Sequence, residues 1–256
     1  MFEYATYPSL KGMPVIVSGG ASGIGEGIVR AFAAQGSKVG FVDIAREDGN
    51  KLAEELNAAG GTVMFTHCDI TNIPSYQAAI KGFEAVHGPT LALVNNAAND
   101  HRHKIAEITP EDWDKRMAVN LKHAFFATQA VAPGMVAAGK GSIINFGSVS
   151  WMTNSADLTV YTSAKAAVHG MTRSMAKEYG QAGVRVNTLV PGWIMTKRQL
   201  SLWATPQALA MLDVVQSLKG RLYPEDIARM VLFLAADDSR MITAQDFLVD
   251  GGWAHN

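Results

Sequence analysis

The amino-acid sequence predicts an α/β fold in which helices cover both faces of a parallel sheet. Seven short segments are almost wholly apolar and rich in β-branched residues, which is typical of strands buried on both faces. Longer stretches with the apolar spacing of helices alternate with these segments along the chain. Such alternation is typical of parallel strands joined by helices.

The elements follow in order from these patterns. Segment 13–18 (MPVIVS) is the first predicted strand, and the helix at 25–35 ends at Gly36. Thr109 and Pro110 fit the N-cap and the first position of a long helical region at 110–137. The other strands are predicted at 38–42, 63–67, 91–95, 141–146, 185–190 and 246–249, and the other helices at 47–59, 73–87, 159–182 and 224–236.

Residues 193–219 have no assigned element. This stretch lies between a strand and a helix and contains Trp193, Trp203, Pro206 and several leucines. A connection of this length is usually a lid or a binding loop, and an extra packing helix is the alternative. The chain has no internal repeat or linker, so residues 1–256 are predicted to form a single doubly wound Rossmann-type domain.

Composition excludes several classes of protein. The chain has 256 residues, of which 48% are hydrophobic, and this is enough for a sizeable core. Its 22 Lys and Arg residues nearly balance 23 Asp and Glu residues, which argues against nucleic-acid binding. The lone Cys68 excludes an intramolecular disulfide and a cysteine-based zinc site. No apolar run approaches the ~18 residues of a membrane span, and residues 1–11 do not resemble a secretory signal, so we expect a soluble, cytoplasmic protein.

A glycine-rich segment directly follows the first predicted strand and opens a helix. Its sequence is Gly19-Gly20-Ala21-Ser22-Gly23-Ile24-Gly25. Glycines at 19, 23 and 25 allow a tight turn and a close approach of backbone to a pyrophosphate, while the helix N-terminus offers unpaired N–H groups. In this context the segment predicts a dinucleotide site, with a plain glycine-rich turn as the alternative.

Asp43 ends the second predicted strand, 18 residues after Gly25, where the adenosine ribose of a dinucleotide lies. A carboxylate there accepts hydrogen bonds from both ribose hydroxyls and repels a 2′-phosphate. Neither Ser22 nor Ile44 is a basic residue that would attract that phosphate. Asp43 therefore favours NAD over NADP, and a helix N-cap is its alternative role.

Two further segments follow predicted strands. Asp69 could contact the adenine with its side chain, and Ile70 could do so with its backbone. The segment Asn95-Asn96-Ala97-Ala98 follows the fourth strand and has small residues where the dinucleotide must cross the sheet edge. Since ligands of open α/β sheets bind at the carboxyl ends of the strands, four consecutive strand ends point to one ligand.

Tyr161 and Lys165 are four residues apart in a predicted helix and therefore share one face of it. A free tyrosine has a pKa of about 10, and a nearby ammonium group together with an oxidised nicotinamide would lower it. Ser148, at the end of the fifth strand, could hold the substrate oxygen. The three residues predict a general base beside its substrate; without a cofactor site, a surface pair is the better interpretation.

With these residues assembled, the chain resembles the short-chain dehydrogenase/reductase family over essentially its full length. Two departures are mild: Ser18 stands where threonine is usual and keeps the hydroxyl, and Ala98 stands where glycine is usual. The resemblance is carried, in family order and spacing, by Gly19, Gly23, Gly25, Asn95 to Ala98, Asn120, Ser148, Tyr161, Lys165 and Pro191-Gly192.

The resemblance implies catalytic roles. Tyr161 would be the general base, Lys165 would lower its pKa and hold the nicotinamide ribose, and Ser148 would orient the reacting oxygen. Asn120 would hold a water molecule of a proton relay, with a buried asparagine that caps local backbone as the alternative.

The resemblance also implies cofactor contacts and an assembly. Pro191 and Gly192 begin a segment that would lie over the nicotinamide. There the Ile194 backbone would bind the carboxamide, and Thr196 would reach the carboxamide or the pyrophosphate. Family members are commonly homotetramers, which is the expected assembly.

Further segments resemble bacterial NAD-dependent aldose 1-dehydrogenases, those acting on D-xylose included, which oxidise the anomeric hydroxyl of a cyclic sugar to a lactone. These segments are 7–12, 99–100 with 102–104, 144–148 with 150–151, 196–199 and 218–221. Polar and aromatic side chains suit a hydroxylated ring. The candidate substrate contacts are Ser148, Trp151, Asn154, Tyr161, Trp193 and Trp203. Core packing for the tryptophans and a turn for Asn154 are the alternatives.

Other interpretations stay open at this point. Lys197 and Arg198 could attract an acidic substrate, so a dehydrogenase of a keto-deoxy sugar acid is the second candidate. A nucleotide-binding protein without catalysis is a remote alternative, because such members typically lose the Tyr, Lys or Ser that this chain keeps. His101 and His103 have no third ligand grouped nearby, so no metal is expected.

Overall fold

A seven-stranded parallel sheet is the centre of the structure, a computed structural model that describes residues 4–254. Its strands are β1 (Pro14–Ser18), β2 (Lys38–Asp43), β3 (Thr62–His67), β4 (Ala92–Asn95), β5 (Gly141–Phe146), β6 (Val184–Pro191) and β7 (Asp246–Val249). All neighbouring strands are parallel, in the order β3-β2-β1-β4-β5-β6-β7. The predicted parallel sheet is confirmed.

The chain changes direction across the sheet at β1. Strands β2 and β3 lie on one side of β1, and β4 to β7 lie on the other, with Val15 paired to Ala92 and Val17 to Val94. At such a switch point the loops after the two strands separate, and ligands bind in the crevice between them. Because the loop after β1 is the glycine-rich segment, the topology places that segment at the crevice.

Helices cover both faces of the sheet. They are α1 (Gly23–Ala34), α2 (Arg46–Ala58), α3 (Ile73–His87), α4 (Pro110–Met117), α5 (His123–Ala138), α6 (Thr159–Tyr179), α7 (Lys197–Leu202), α8 (Pro206–Val215) and α9 (Pro224–Ala235). On one face Phe32 of α1 and Val231 of α9 pack against Val17 of β1. On the other face Ile80 of α3 and Met135 of α5 belong to a second core cluster.

The long helical region predicted at 110–137 is present but is not one regular α-helix. Thr109 caps α4 by accepting a hydrogen bond from the N–H of Asp112, as predicted. A π-helical turn, Ala118–Lys122, then separates α4 from α5. A π turn adds one residue to a helical turn, and apolar periodicity over a long stretch does not resolve such a local change.

Residues 193–219 contain the two helices α7 and α8, so the alternative of extra helices is confirmed. Thr196 caps α7 by accepting from the N–H of Gln199, and Thr205 caps α8 by accepting from the N–H of Ala208. Elsewhere the largest shift in a boundary is at α6, which ends at Tyr179 and continues as a 3₁₀ turn through Ala182. None of the helices within residues 4–254 has the length and apolar character to span a bilayer.

Candidate active site

The glycine loop between β1 and α1 is fastened to the end of β4. Asn96 Nδ2 donates hydrogen bonds to the carbonyl oxygens of Ser18 at 3.0 Å and Gly19 at 3.1 Å. The Ser18 hydroxyl accepts from the backbone N–H groups of Asn96 and Ala97, each at 3.1 Å. The hydroxyl makes both of these contacts, and serine retains it at a position where threonine is usual. The loop and the segment after β4 therefore form one floor at the switch point.

The glycine loop has no space for side chains at the positions where two backbone segments, or the backbone and a ligand, come close together. A Cβ atom on Gly25 would lie 1.8 Å from the carbonyl oxygen of Gly19, and Gly19 and Gly23 have φ angles of +69° and +57°. Ser22 is the N-cap of α1 but its side chain makes no capping hydrogen bond, and Ile24 lies in the first helical turn. The first N–H groups of α1 thus receive no acceptor from the cap, and this bare cradle fits a pyrophosphate.

Asp43 joins the end of β2 to the glycine loop. Its Oδ2 accepts from the N–H of Ala21 and its Oδ1 accepts from the N–H of Ala45, both at 3.0 Å. The following helix begins only at Arg46, with Ala45 as its N-cap, so Asp43 is not the N-cap. Its negative charge therefore lies beside the loop, where a ribose would pass.

Asp69 and Ile70 lie at the same edge of the sheet, just after β3. Asp69 Oδ1 accepts from the N–H of Thr71 at 2.9 Å and from its hydroxyl at 2.7 Å, which uses this oxygen within the turn. The Ile70 side chain is buried in the second core cluster. Because the Ile70 side chain is buried, only the backbone of this residue is left to contact a ligand.

Tyr161, Lys165 and Ser148 come together where α6 crosses the end of β5. The Ser148 side chain lies close enough to Tyr161 to lower the pKa of its phenol. Lys165 Nζ donates to the carbonyl oxygen of Phe146 at 2.8 Å and lies 5.7 Å from the centre of the Tyr161 ring. The helical spacing of Tyr161 and Lys165 therefore directs both side chains to the same strand end.

Burial shifts the pKa values of both helix residues. It raises the pKa of Tyr161 to about 12, and the nearby Ser148 side chain offsets part of the rise. Burial lowers the pKa of Lys165 to about 8, so this side chain is still mostly charged at neutral pH. With these groups alone the phenol stays protonated at neutral pH, and it needs further positive charge beside the ring to act as a base.

Asn120 lies in the π turn, and both polar atoms of its side chain bond to backbone. Its Nδ2 donates to the carbonyl oxygens of Asn99 at 3.0 Å and Arg116 at 2.9 Å, and its Oδ1 accepts from the N–H of Asn99 at 2.8 Å. These contacts match the alternative interpretation of a buried asparagine that caps local backbone. They also fix the loop after β4 against the π turn.

The segment 191–196 crosses from β6 to the glycine loop. Pro191 pairs with Val249 of β7, and the backbone of Ile194 forms a bridge with Leu222. A Cβ atom on Gly192 would lie 2.7 Å from the Cα of Asp250, so the chain passes closely there. At its far end Thr196 comes against Gly23. The segment therefore covers the crevice from the side opposite to Asp43.

The four candidate substrate contacts other than Ser148 and Tyr161 have different surroundings. Trp193 Nε1 donates to Oε1 of Gln199 at 2.8 Å, and the guanidinium of Arg102 lies 4.4 Å from the ring centre of Trp203. Trp151 is 39% exposed, which excludes simple core packing. Asn154 has a φ angle of +53°, which agrees with the turn interpretation.

Trp151 is held by a buried histidine. Its Nε1 donates to Nε2 of His169 at 3.1 Å, and His169 Nδ1 lies 2.8 Å from a carboxylate oxygen of Asp246. An indole N–H only donates, so His169 Nε2 must be the unprotonated nitrogen. Trp151 can therefore offer a ligand its ring face but not its N–H group.

Sequence reasoning did not name Asp100 and Gln199 as site residues, yet the structure brings them together. Gln199 Nε2 donates to Oδ2 of Asp100 at 2.7 Å, and Arg198 forms an ion pair with Oδ1 of Asp100. The available signal was their occurrence in segments that resemble aldose dehydrogenases. Nothing in the spacing shows that residues so far apart in the chain meet.

The chain is similar to known proteins over nearly its full length. The family described as enoyl-(acyl carrier protein) reductase matches residues 19–254. A D-xylose 1-dehydrogenase of Caulobacter vibrioides is 48% identical over 249 residues, which cover 97% of this chain and 98% of that protein. A Rhizobium meliloti protein named "Probable galactose dehydrogenase GalD" is 42% identical over 247 residues, or 96% of each chain.

Solved structures share the fold over nearly the whole chain. A 3-oxoacyl-[acyl-carrier protein] reductase from Brucella melitensis has a TM-score of 0.90 at 30% identity, covering 100% of this chain and 98% of that one. A gluconate 5-dehydrogenase from Burkholderia cenocepacia, in complex with NADP and tartrate, has a TM-score of 0.89 at 29% identity, covering 97% and 98%.

The fold, the glycine cradle and the similar proteins define a nucleotide-dependent oxidoreductase that acts on CH–OH groups. The chain belongs to the short-chain dehydrogenase/reductase family, which confirms the resemblance seen in its sequence.

Proposed function

We propose that this protein oxidises the anomeric hydroxyl of a cyclic aldose, a pentose or a similar sugar, to the lactone with NAD. Similarity over nearly the full chain to a D-xylose 1-dehydrogenase and to a protein named as a galactose dehydrogenase carries the proposal. The polar and aromatic character of the candidate substrate contacts, Ser148, Trp151, Asn154, Tyr161, Trp193 and Trp203, also suits a hydroxylated ring.

The cradle and Asp43 support NAD as the cofactor. NAD, when bound, accepts the hydride that leaves C1 of the sugar. The carboxylate of Asp43 supports NAD over NADP, because a 2′-phosphate would meet its negative charge. The residues proposed to hold the cofactor are Gly19, Ser22, Gly23, Ile24, Gly25, Asp43, Asp69, Ile70, Asn96, Ala97, Ala98, Tyr161, Lys165, Pro191, Gly192, Ile194 and Thr196.

Three side chains would handle the substrate oxygen and its proton. Tyr161 Oη, as the phenolate, takes the proton of the C1 hydroxyl as the C1–H bond breaks. Ser148 donates a hydrogen bond that holds the same oxygen, and the Lys165 ammonium stabilises the phenolate. A fourth residue, Asn120, whose Oδ1 has one lone pair left beside its bond from Asn99, is proposed to hold the water that links Lys165 to solvent.

A substrate panel tests this function. Absorbance of the reduced cofactor is followed with pentoses, hexoses and keto-deoxy sugar acids, each with NAD and with NADP. We expect a neutral aldose with NAD to give the highest kcat/KM. Turnover of a keto-deoxy sugar acid, with no reduction of the cofactor by any neutral aldose, would contradict the proposal. Binding of NAD without turnover of any substrate would point to a non-catalytic protein.

The variant Tyr161→Phe tests the base. We expect kcat to fall roughly 10²- to 10⁴-fold, the usual contribution of a general base, while NAD still binds. Tyr179→Phe, at the other end of α6, is the matched control and should keep full activity. Activity of the Tyr161 variant equal to that of the control would refute the assignment.

We also propose that the protein works in the cytoplasm and, as the family resemblance implies, as a homotetramer. Light scattering should then give four times the chain mass of 27.4 kDa. A monomeric mass would exclude this assembly.

A further inference from the structure

A polar network joins the loop after β4 to α7 and the segment before it. Both carboxylate oxygens of Asp100 are occupied, one by Arg198 and the other by Gln199 Nε2 at 2.7 Å. Gln199 in turn accepts from the indole N–H of Trp193 at 2.8 Å. The Asp100 side chain is 26% exposed and the Arg198 side chain 41% exposed, so the ion pair is partly shielded from water.

This network lies beside the proposed base. Burial makes the largest change in the pKa of Tyr161, but Asp100 raises that pKa further and Arg198 lowers it. Tyr161 is therefore within electrostatic reach of both members of the pair. Lys197, the neighbour of Arg198 in the chain, is exposed, and Arg102, two residues after Asp100, lies over the ring of Trp203.

Asp100 is negatively charged at neutral pH. Burial alone would raise the pKa of its carboxyl, but the hydrogen bonds from Arg198 and Gln199 hold that pKa below its usual value. The Arg198 guanidinium is thus compensated before any substrate arrives. A substrate carboxylate that approached Arg198 would meet a guanidinium whose charge is already compensated, and it would lie beside the negative charge of Asp100.

We propose that Asp100 is a specificity-determining residue that occupies Arg198 and so selects neutral sugars against sugar acids. An arginine pairs with a substrate carboxylate in the same way as with an aspartate, so Asp100 competes directly with the acid. Its charge also repels the acid, which is discrimination by an unfavourable contact with the wrong ligand. This inference rests on the proposed function and extends it to the choice between two classes of sugar.

Matched sugar pairs test the inference. D-galactose and D-galacturonate, and likewise D-glucose and D-glucuronate, differ only in a CH₂OH or a carboxylate at C6, and both members carry an anomeric hydroxyl. For each protein, KM is measured for the best neutral aldose, and Ki is measured for each uronate as a competitor of that aldose. The Ki gives a result even if the uronate is not oxidised.

The variant Asp100→Asn keeps the shape of the side chain and removes its charge. We expect the ratio of uronate Ki to aldose KM to fall at least about tenfold, because Arg198 becomes free. The double variant Asp100→Asn/Arg198→Gln should restore the ratio of the unchanged protein. Glu55→Gln, which breaks the Arg30–Glu55 ion pair between α1 and α2, is the control and should leave the ratio unchanged.

The single variant Arg198→Gln provides a second test if Asp100→Asn does not fold. It leaves Asp100 uncompensated, so the uronate Ki should rise relative to the aldose KM. The pH profiles give a further readout: relative to the unchanged protein, the rising limb of kcat/KM should move to lower pH in Asp100→Asn and to higher pH in Arg198→Gln. A purely structural role would not produce opposite shifts.

The outcomes separate the two proposals. If the unchanged protein oxidises no neutral aldose, the proposed function fails. If it oxidises neutral aldoses but the Ki ratio stays within about twofold in Asp100→Asn and in Arg198→Gln, the proposed function stands and the role of Asp100 is refuted. Uronate binding that stays tight in the double variant would also refute it.

Discussion

Lys165 is a buried charge that weakens the fold while serving the site. Its side chain is 2% exposed, and its single hydrogen bond in the described contacts goes to the Phe146 carbonyl at 2.8 Å. Burial lowers its pKa from 10.5 to about 8, and each pKa unit is worth about 1.4 kcal/mol, so the charged form costs about 3 kcal/mol. Losing the hydrogen bond, whose donor is charged, would cost about 1.5 kcal/mol or more.

We therefore expect Lys165→Met to be more stable than the unchanged protein at neutral pH, by up to about 1.5 kcal/mol. The unfolded lysine binds more protons than the folded one between about pH 8 and 10, so the stability of the unchanged protein should rise with pH across this window. The methionine variant should lack this rise and should also lack activity. Urea unfolding at several pH values measures both, and a variant that is less stable at neutral pH contradicts the prediction.

Asp43 is expected to set the cofactor preference through its charge. Asp43→Asn can still accept a hydrogen bond from the N–H of Ala21, but it no longer repels a 2′-phosphate. We expect the ratio of kcat/KM for NAD to that for NADP to fall by about tenfold or more. Glu47→Gln in the first turn of α2 changes net charge equally and should leave the ratio unaltered. An unchanged ratio in Asp43→Asn would assign the preference to other groups.

At the scale of elements, the glycine loop between β1 and α1 depends on one close backbone approach. In Gly25→Ala the new methyl group would lie 1.8 Å from the Gly19 carbonyl, so the loop must shift. We expect cofactor affinity to fall by about tenfold or more. Gly82→Ala is the matched control, because a Cβ there meets nothing within 4 Å in α3. Calorimetric titration with NAD compares them, and equal affinities would show that the loop adapts.

The control variant carries its own expectation. Alanine in the middle of an exposed helix is more favourable than glycine by about 0.5–1 kcal/mol, so Gly82→Ala should raise the thermal midpoint slightly. A lower midpoint would contradict this expectation and would indicate that Gly82 contacts another molecule.

The π turn between α4 and α5 shows why contacts between elements are harder to predict from sequence than the elements themselves. Thr109 and Pro110 predict the start of α4 correctly, because capping depends on residues that are close in sequence. Asn120 instead bonds to Asn99, which the chain brings near only after β4 and α4 have packed. The same holds for Trp151 and His169, which meet across the end of β5.

At the scale of the whole molecule, a bound dinucleotide would link elements that are distant in the chain. The loop after β1, Asp43 of β2, Asn96 after β4 and Thr196 before α7 surround the same crevice. NAD at one hundred times its dissociation constant should therefore stabilise the fold by about 2.7 kcal/mol. Thermal unfolding with and without NAD measures this, and Gly25→Ala should show a smaller gain at the same concentration. No gain for the unchanged protein would contradict the proposed site.

The sequence by itself determined the parallel sheet, the order of its elements and the family. The reason is that buried strands need apolar residues, helices need periodic ones, and close backbone approach needs glycine at set positions such as Gly19 and Gly25. These requirements act on neighbours in the chain, so they are visible without a structure.

Only the tertiary structure decided which polar side chains form ion pairs and hydrogen bonds with one another. From the sequence, Arg198 could bind an acidic substrate. In the folded protein it forms an ion pair with Asp100 instead. The fold likewise gave Trp193 and Asp100 a common neighbour in Gln199. Long side chains find partners through three-dimensional proximity, and no periodicity encodes that proximity. The choice of substrate is proposed to depend on contacts of this kind.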